Sequence, residues 1–379
     1  RVADLDGCQP GMLGRITFDP PERVFPHPTG PFQQIVRIRE IGANGTLRIA
    51  TPLRFVSGPD VQAMIQPVAP IAGAGIEALS IETAPGLGRA GHTITLRDAR
   101  DCFVRDCELS MAYFSHLWAD RSCNLLVEGN YVHHAWGYRK TSPTGFGYGI
   151  VLLGGTADCL VTDNALNTLR HALMAEAGAC ANVFSFNTSY GVNPQGDREG
   201  SADFSAHGGY PYMTLVEGNV LHFPHSADFW RPAGPLQTFF RNRIVGKGIV
   251  IGLDSHLAVV AGNDIARGGV YEEMGTVGTV ILANRQRNLA PPPKVIHMGL
   301  QHQLIEQPQK PDAALIPSLY LDEKPALLGD APWPCFGPDV ADPAPLPAEE
   351  RYETIYRHWP ERVPTAEPPA ADRSAPPDS

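Results

Sequence analysis

A chain of 379 residues, 43% of them hydrophobic, holds one large domain or two to three ordinary ones. Its net charge of −10 opposes polyanions, so no nucleic-acid partner is expected. No apolar run reaches the roughly 18–20 residues of a membrane span, so no membrane partner is expected either.

Glycine (38 residues) and proline (36 residues) are abundant, which favours turns over long helices. The first residue, Arg1, is not a methionine. An upstream segment is therefore expected, and with it a secreted or periplasmic location. The seven cysteines cannot all pair with one another and show no CxxC spacing. They are expected as buried free thiols.

Residues 1–75 read as a β-rich cap. "QQIVRIREIGANGTLRIATPLRFV" alternates and turns at Ala43-Asn44-Gly45, a hairpin signal. This segment is expected to cover the N-terminal end of the strands from residue 76 onward, because an open stack of strands exposes an edge.

From residue 76 to 289 a short phrase recurs: "NLLVEGNYV", "CLVTDNALN", "NVFSFNTSY", "TLVEGNVLH", "TFFRNRIVG", "VVAGNDIAR", "VILANRQRN". Its anchors are Asn130, Asn164, Asn187, Asn219, Asn242, Asn263 and Asn284, with Cys107 in the same place one step earlier. The spacings are 23, 34, 23, 32, 23, 21 and 21. Three residues before the anchor stand Val104, Val127, Val161, Phe184, Val216, Phe239, Val260 and Ile281, all apolar. Two residues before it the column is mixed, so one column faces a core and its neighbour tends to face out. Such a period without helical segments predicts a solenoid of parallel strands. The anchor asparagine is expected to take the left-handed bend and to bond its neighbour's amide one coil away.

These repeats resemble the pectate-lyase-like family of right-handed parallel β-helices, over roughly Ile76 to Leu289. The stretches "RHALMAEAGACANVFSFN" and "HGGYPYMTLVEGN" resemble uncharacterised bacterial members. The resemblance implies the fold. It leaves the reaction open, because lyases, glycosidases, esterases, epimerases and phage tailspikes share that fold.

After a break at "APPPK", residues 290–359 read as an extended, proline-rich tail packed on the solenoid. Tyr320, Leu321, Leu327, Leu328, Trp333 and Phe336 are too apolar for a free linker. A short helix is expected over Ala348–Trp359, and residues 360–379 have the composition of disorder.

The two long spacings place about ten extra residues at one corner, over 133–149 and 190–204. The uninterrupted coil between them has its corner at Asn167–His171. Adjacent strands lie about 4.8 Å apart, so the insertions flank a trough about 9–10 Å wide. The phase alignment puts Tyr148, His171, Asp203 and Ser226 in one column, making His171 and Asp203 neighbours. The first wall offers Trp136 and Tyr138 to stack on sugar faces and Arg139 and Lys140 to meet a carboxylate. The second side offers Tyr190, His207 and Tyr210, and the next coil His222, Asp228 and Arg231.

This set suits a carbohydrate-active enzyme on a polysaccharide or oligosaccharide. β-Elimination needs a cation at a uronate carboxylate, a base for the C5 proton and an acid for the leaving oxygen. Arg170 or Arg139 serves as the cation, His171 or His207 as the base, and Tyr148 or Tyr210 as the acid, with Asp203 orienting His171. The first alternative is a glycoside hydrolase using Asp203 and Asp228. The second is a non-catalytic, tailspike-like glycan-binding solenoid. The sequence shows no clear metal site, leaves a calcium requirement open and says nothing of oligomeric state.

Overall fold

The computed structural model describes residues 5–18, 32–54, 63–84, 91–136, 146–191, 201–226, 233–252, 255–273, 276–289, 302–304 and 315–358. Each coil contributes three short strands, and the coils stack into three nine-stranded sheets. The first sheet runs from Gly75–Glu77 to Val280–Leu282, and the second from Ser80–Glu82 to Arg285–Gln286. The third runs from His92–Arg97 to Val270–Glu273 and ends on His302–Leu304, which pairs antiparallel. All other pairings in these sheets are parallel, for example Val104↔Val127 and Val127↔Val161. The chain is a right-handed parallel β-helix.

The apolar column forms the core. Val104, Val127, Val161, Phe184, Val216, Phe239 and Val260 are buried in one cluster with Leu109, Val132, Leu166, Leu221, Ile244 and Ile265. The anchors form the expected ladder. Asn164 Nδ2 donates to Asn187 Oδ1 (2.9 Å), Asn187 Nδ2 to Asn219 Oδ1 (3.0 Å) and Asn219 Nδ2 to Asn242 Oδ1 (2.9 Å). The other amide proton reaches a carbonyl of the apolar column, as Asn187 Nδ2 does at Val161 O (2.9 Å).

The bend differs from expectation. The residue before each anchor carries the positive φ: Asp106, Gly129, Asp163, Phe186, Gly218, Arg241, Gly262 and Ala283. The asparagine side chain must point inward to build the ladder, so its neighbour makes the turn. All seven cysteines are free and buried, and Cys102, Cys107 and Cys159 lie in the main core.

The N-terminal segment is a four-stranded antiparallel sheet of Leu13–Phe18, Phe32–Gly42, Thr46–Ile49 and Ala63–Val68. The hairpin turns through a single 3-10 turn at Ala43–Gly45, as the sequence predicts. Its placement corrects the cap reading. Ile16, Phe18 and Val36 pack on Ala157, Cys180, Tyr210 and Tyr212, and the Ile35 N–H donates to Gly155 O (3.0 Å). The sheet therefore lies on the wall of the middle coils. In the first coil, Leu79 remains 53% exposed.

The tail docks on a different wall. Leu328, Cys335, Phe336 and Leu346 bury against Phe186 and Val220. The helix spans Pro347–Thr354 and is followed by a 3-10 turn at Tyr356–His358. Tyr352 stacks on Tyr190 (3.9 Å between ring centroids) and Tyr356 on Tyr131 (3.9 Å). Residues 360–379 lie outside the described residues.

Candidate functional site

The third sheet carries the candidate site on its outer face. Ile150, Leu173 and Phe204 share one row that enters the core, while Val151, Met174, Ser205 and His225 form the outward row beside it. Tyr148 lies at the head of Tyr148–Leu153 and His171 at the head of His171–Ala175, and the register sets them opposite each other.

The next coil is one residue out of the expected phase. Ala202, not Asp203, faces His171, because Leu173 pairs with Phe204 rather than Ser205. Side chains alternate with period two, so a slip of one residue sends Asp203 to the other face. There it is fully buried. Its Oδ2 accepts the backbone N–H groups of His222 (2.8 Å) and Phe223 (2.5 Å) in the next coil. Burial raises its carboxyl above the ordinary range, against the opposing pull of Ser189, His222 and those amides. Asp203 ties two coils together and does not orient His171.

Four predicted residues do converge. Arg170 Nη1 donates to Tyr148 Oη (2.8 Å), and its guanidinium carbon lies 5.6 Å from the Tyr148 ring centroid. The Tyr148 ring stacks on His171 (5.3 Å, 18°). His207 meets His171 edge to face (5.3 Å, 71°) and lies 6.5 Å from Tyr148. Two more stand there: His225, which the sequence places at this corner without a role, and Glu176, which it does not single out. His225 stands 6.0 Å from His171, and Glu176 Oε1 lies 3.5 Å from His207 Nδ1. The Glu176 position follows from the register, since Ala175 pairs with Ala206 and the next residues are Glu176 and His207. Correct phasing of the second insertion is the signal that finds it.

His171, His207, His225 and Tyr148 are all buried. Burial first, then the charges of Arg170, His207 and His225, hold His171 well below the ordinary histidine range. It is a neutral imidazole at physiological pH. Neither ring nitrogen has a hydrogen-bond partner of good geometry among the described residues, although the Ala202 backbone lies beside the ring. A neutral imidazole with an uncommitted lone pair is the form a general base requires.

The other predicted binding residues are elsewhere. Trp136 is buried with Met111 and Tyr113, and its Nε1 donates to Thr83 O (2.9 Å), so its ring is not presented for stacking on a sugar. Tyr190 lies under the tail against Tyr352. Tyr210 packs beneath the N-terminal sheet, where burial pushes its phenol up. His222 is exposed beside Gly246. For Trp136, Tyr190 and Tyr210 a segment distant in sequence claims the ring. Tyr138, Arg139, Lys140, Asp228 and Arg231 lie outside the described residues. Among the described residues, no group of three or more His, Cys, Asp or Glu side chains is arranged to hold a metal ion.

No protein-family model matches the chain, and no curated protein matches it. Solved structures similar to it include three phage tailspikes. The first is the Gp54 tailspike of Acinetobacter baumannii bacteriophage AP22 in complex with A. baumannii capsular saccharide. It is 12% identical over 78% of this chain and 62% of that one, with a TM-score of 0.46. The tailspike gp49 from Pseudomonas phage LKA1 is 11% identical over 76% of this chain and 58% of that one, with a TM-score of 0.37. The Pseudomonas phage phi297 tailspike gp61 is 11% identical over 75% and 59%, with a TM-score of 0.35. The chain thus spans about three-fifths of each tailspike's length.

Proposed function

We propose that the chain acts on an acidic polysaccharide outside the cytoplasm, as a secreted or periplasmic polysaccharide lyase. The observation that carries this reading is the contiguous Arg170–Tyr148–His171 arrangement: a guanidinium on a phenol, and that phenol stacked on a neutral buried imidazole. In a uronate β-elimination a base takes the C5 proton, the electron pair forms the C4=C5 bond, the C4–O bond breaks and an acid protonates the departing oxygen. His171 is the base. Tyr148 is the acid, and Arg170 stabilises the phenolate left behind. Arg170 has five N–H donors in all, enough to serve Tyr148 and the uronate carboxylate together. His207, paired with Glu176, completes the pocket beside His171.

Paired-carboxylate hydrolysis fits less well, because Asp203 is spent on backbone amides. Saccharide binding without cleavage is a second reading. The complete burial of His171 favours it, since a reacting sugar has to displace whatever covers that ring.

The test is a panel of polyuronates and bacterial capsular polysaccharides, read by mass spectrometry and ultraviolet absorbance. A lyase yields unsaturated products lighter by one water than hydrolysis products. Tyr148→Phe and His171→Ala should each lower turnover by about 10²–10⁴-fold while the protein stays folded. Hydrolytic products would exclude the elimination, and binding without products would establish the second reading.

A further inference from the structure

A second set of titratable groups sits one coil toward the N-terminus, at the corner between the second and third sheets. Glu108 Oε1 lies 3.1 Å from His133 Nε2, and His133 Nδ1 lies 2.9 Å from His134 Nδ1. Glu108 Oε2 also accepts from the Ser80 hydroxyl (2.6 Å). The His133 ring is clamped in a stack with Tyr131 (4.1 Å), which stacks in turn on Tyr356 of the tail (3.9 Å).

With Glu108 ionised and His133 in its neutral form, the order of these contacts assigns each proton. A carboxylate only accepts, so His133 Nε2 donates to Glu108. A neutral imidazole has one donor and one acceptor, so His133 Nδ1 accepts, and His134 Nδ1 must donate to it. His134 Nε2 is then left as a bare lone pair. No hydrogen bond is made by that nitrogen among the described residues, and the ring is part-exposed. Burial and the neighbouring His133 push His134 down to about 4, so it is neutral at physiological pH.

The corner lies one coil from the Arg170–His171 site. His133 pairs with Asn167, so the left-handed residues His134 (φ 46°) and Thr168 (φ 53°) follow in register, and Gly191 (φ 63°) comes next. A side chain at Gly191 would meet Asn167 Oδ1 at 3.0 Å and Thr168 Oγ1 at 3.2 Å, so glycine lets the chain turn close against this end of the column. Arg170 lies two residues beyond Thr168. His116 joins the two places: its Nδ1 faces Tyr148 O (2.9 Å), and its Nε2 lies 3.2 Å from His133 O and 3.1 Å from His134 O.

We infer that Glu108 and His133 orient His134 as an obligate hydrogen-bond acceptor for a sugar hydroxyl, in a subsite one coil N-terminal to the Arg170–His171 site. The inference rests on the saccharide reading of that site. Its ligand is a free hydroxyl, because an acylated or alkylated oxygen has no proton to donate to Nε2.

Side-chain nitrogen NMR of the isotope-labelled full chain tests the relay without any ligand. His134 should be protonated at Nδ1 and bare at Nε2, and Glu108→Ala should mix the two tautomers. A protonated Nε2 in the wild type, or a tautomer indifferent to Glu108→Ala, overturns the inference. The second arm uses polygalacturonate and capsular polysaccharides. On a polymer that is turned over, Glu108→Ala and His134→Asn should raise KM about tenfold, equivalent to about 1.4 kcal/mol, with a smaller change in kcat. Asparagine at 134 keeps the left-handed backbone accessible. Turnover with KM unchanged in both variants removes the subsite and leaves the lyase standing. A polymer-induced shift of the His134 signal without turnover removes the lyase and keeps the subsite.

Discussion

Asn187 shows how much one side chain holds. Its Oδ1 accepts from the Asn164 backbone N–H (3.0 Å) and from Asn164 Nδ2 (2.9 Å), while its Nδ2 donates to Val161 O and Asn219 Oδ1. Asn187→Ala strands the Asn164 amide and the Val161 carbonyl in the core and takes an acceptor from Asn164 Nδ2. Buried orphans cost about 1–3 kcal/mol each, so urea unfolding should show a loss of about 3–6 kcal/mol. The anchors were legible in the sequence because only a side chain with donor and acceptor can continue such a ladder. The left-handed residue was not, because aspartate, glycine, phenylalanine, arginine and alanine all occupy it. Asp203 carries the opposite lesson. The column count across the second insertion was wrong by one, and that single residue turned an expected catalytic partner into a backbone clasp. Asp203→Ala should therefore lower stability by about 2–4 kcal/mol through the two lost charge-assisted bonds, with turnover changed only a few-fold. A large fall in turnover at unchanged melting temperature would restore it to the catalytic set.

At the scale of elements, local pattern was legible and docking was not. The hairpin at 43–45 and the helix of the tail announce themselves by turn residues and by composition. The surfaces they cover are set by contacts across long sequence separations, such as Tyr190 with Tyr352, which no local period encodes. The tail's main fastening is Arg241, only 1% exposed. It donates to Ile316 O (2.9 Å), Leu315 O (3.1 Å) and Phe336 O (2.9 Å), and to both oxygens of Asp339 (2.7 and 2.8 Å). Arg241 holds the Asp339 carboxyl below the ordinary range. Methionine fills a similar volume but makes none of these bonds. Asp339 is 45% exposed and regains water, so the loss comes mostly from the three carbonyl bonds, and Arg241→Met should cost about 2–4 kcal/mol. Limited proteolysis should then cut between 315 and 358 before the solenoid. Simultaneous cutting of both would show that the tail is not a separable element.

Across the whole molecule, stability against acid is a balance of buried groups with opposite signs. His116 is pushed down to about 4 by burial, His92 reaches about 4 by burial and Arg97, and His171 lies well below its ordinary value. Glu217 is pushed up to about 6, again by burial. The histidines are neutral in both states above the unfolded value of 6.5. Below it the unfolded chain takes protons that the folded chain refuses, so their contribution is lost as pH falls from 6.5 toward 4. Glu217 works the other way: between about 6 and 4.5 the folded state binds the proton first, and stability is gained as pH falls. Because the two partly cancel, the wild-type curve alone does not reveal either. His116→Asn isolates one of them. Asparagine can donate to Tyr148 O as His116 Nδ1 does, but it does not titrate. Above pH 6.5 the difference in unfolding free energy between the two proteins should be constant. From there toward pH 4 it should move in the variant's favour by about 1.4 kcal/mol per pH unit, the full value for one proton. Parallel wild-type and variant curves across that range would mean that folded His116 takes its proton at the ordinary pH, and that this buried corner tolerates a charge.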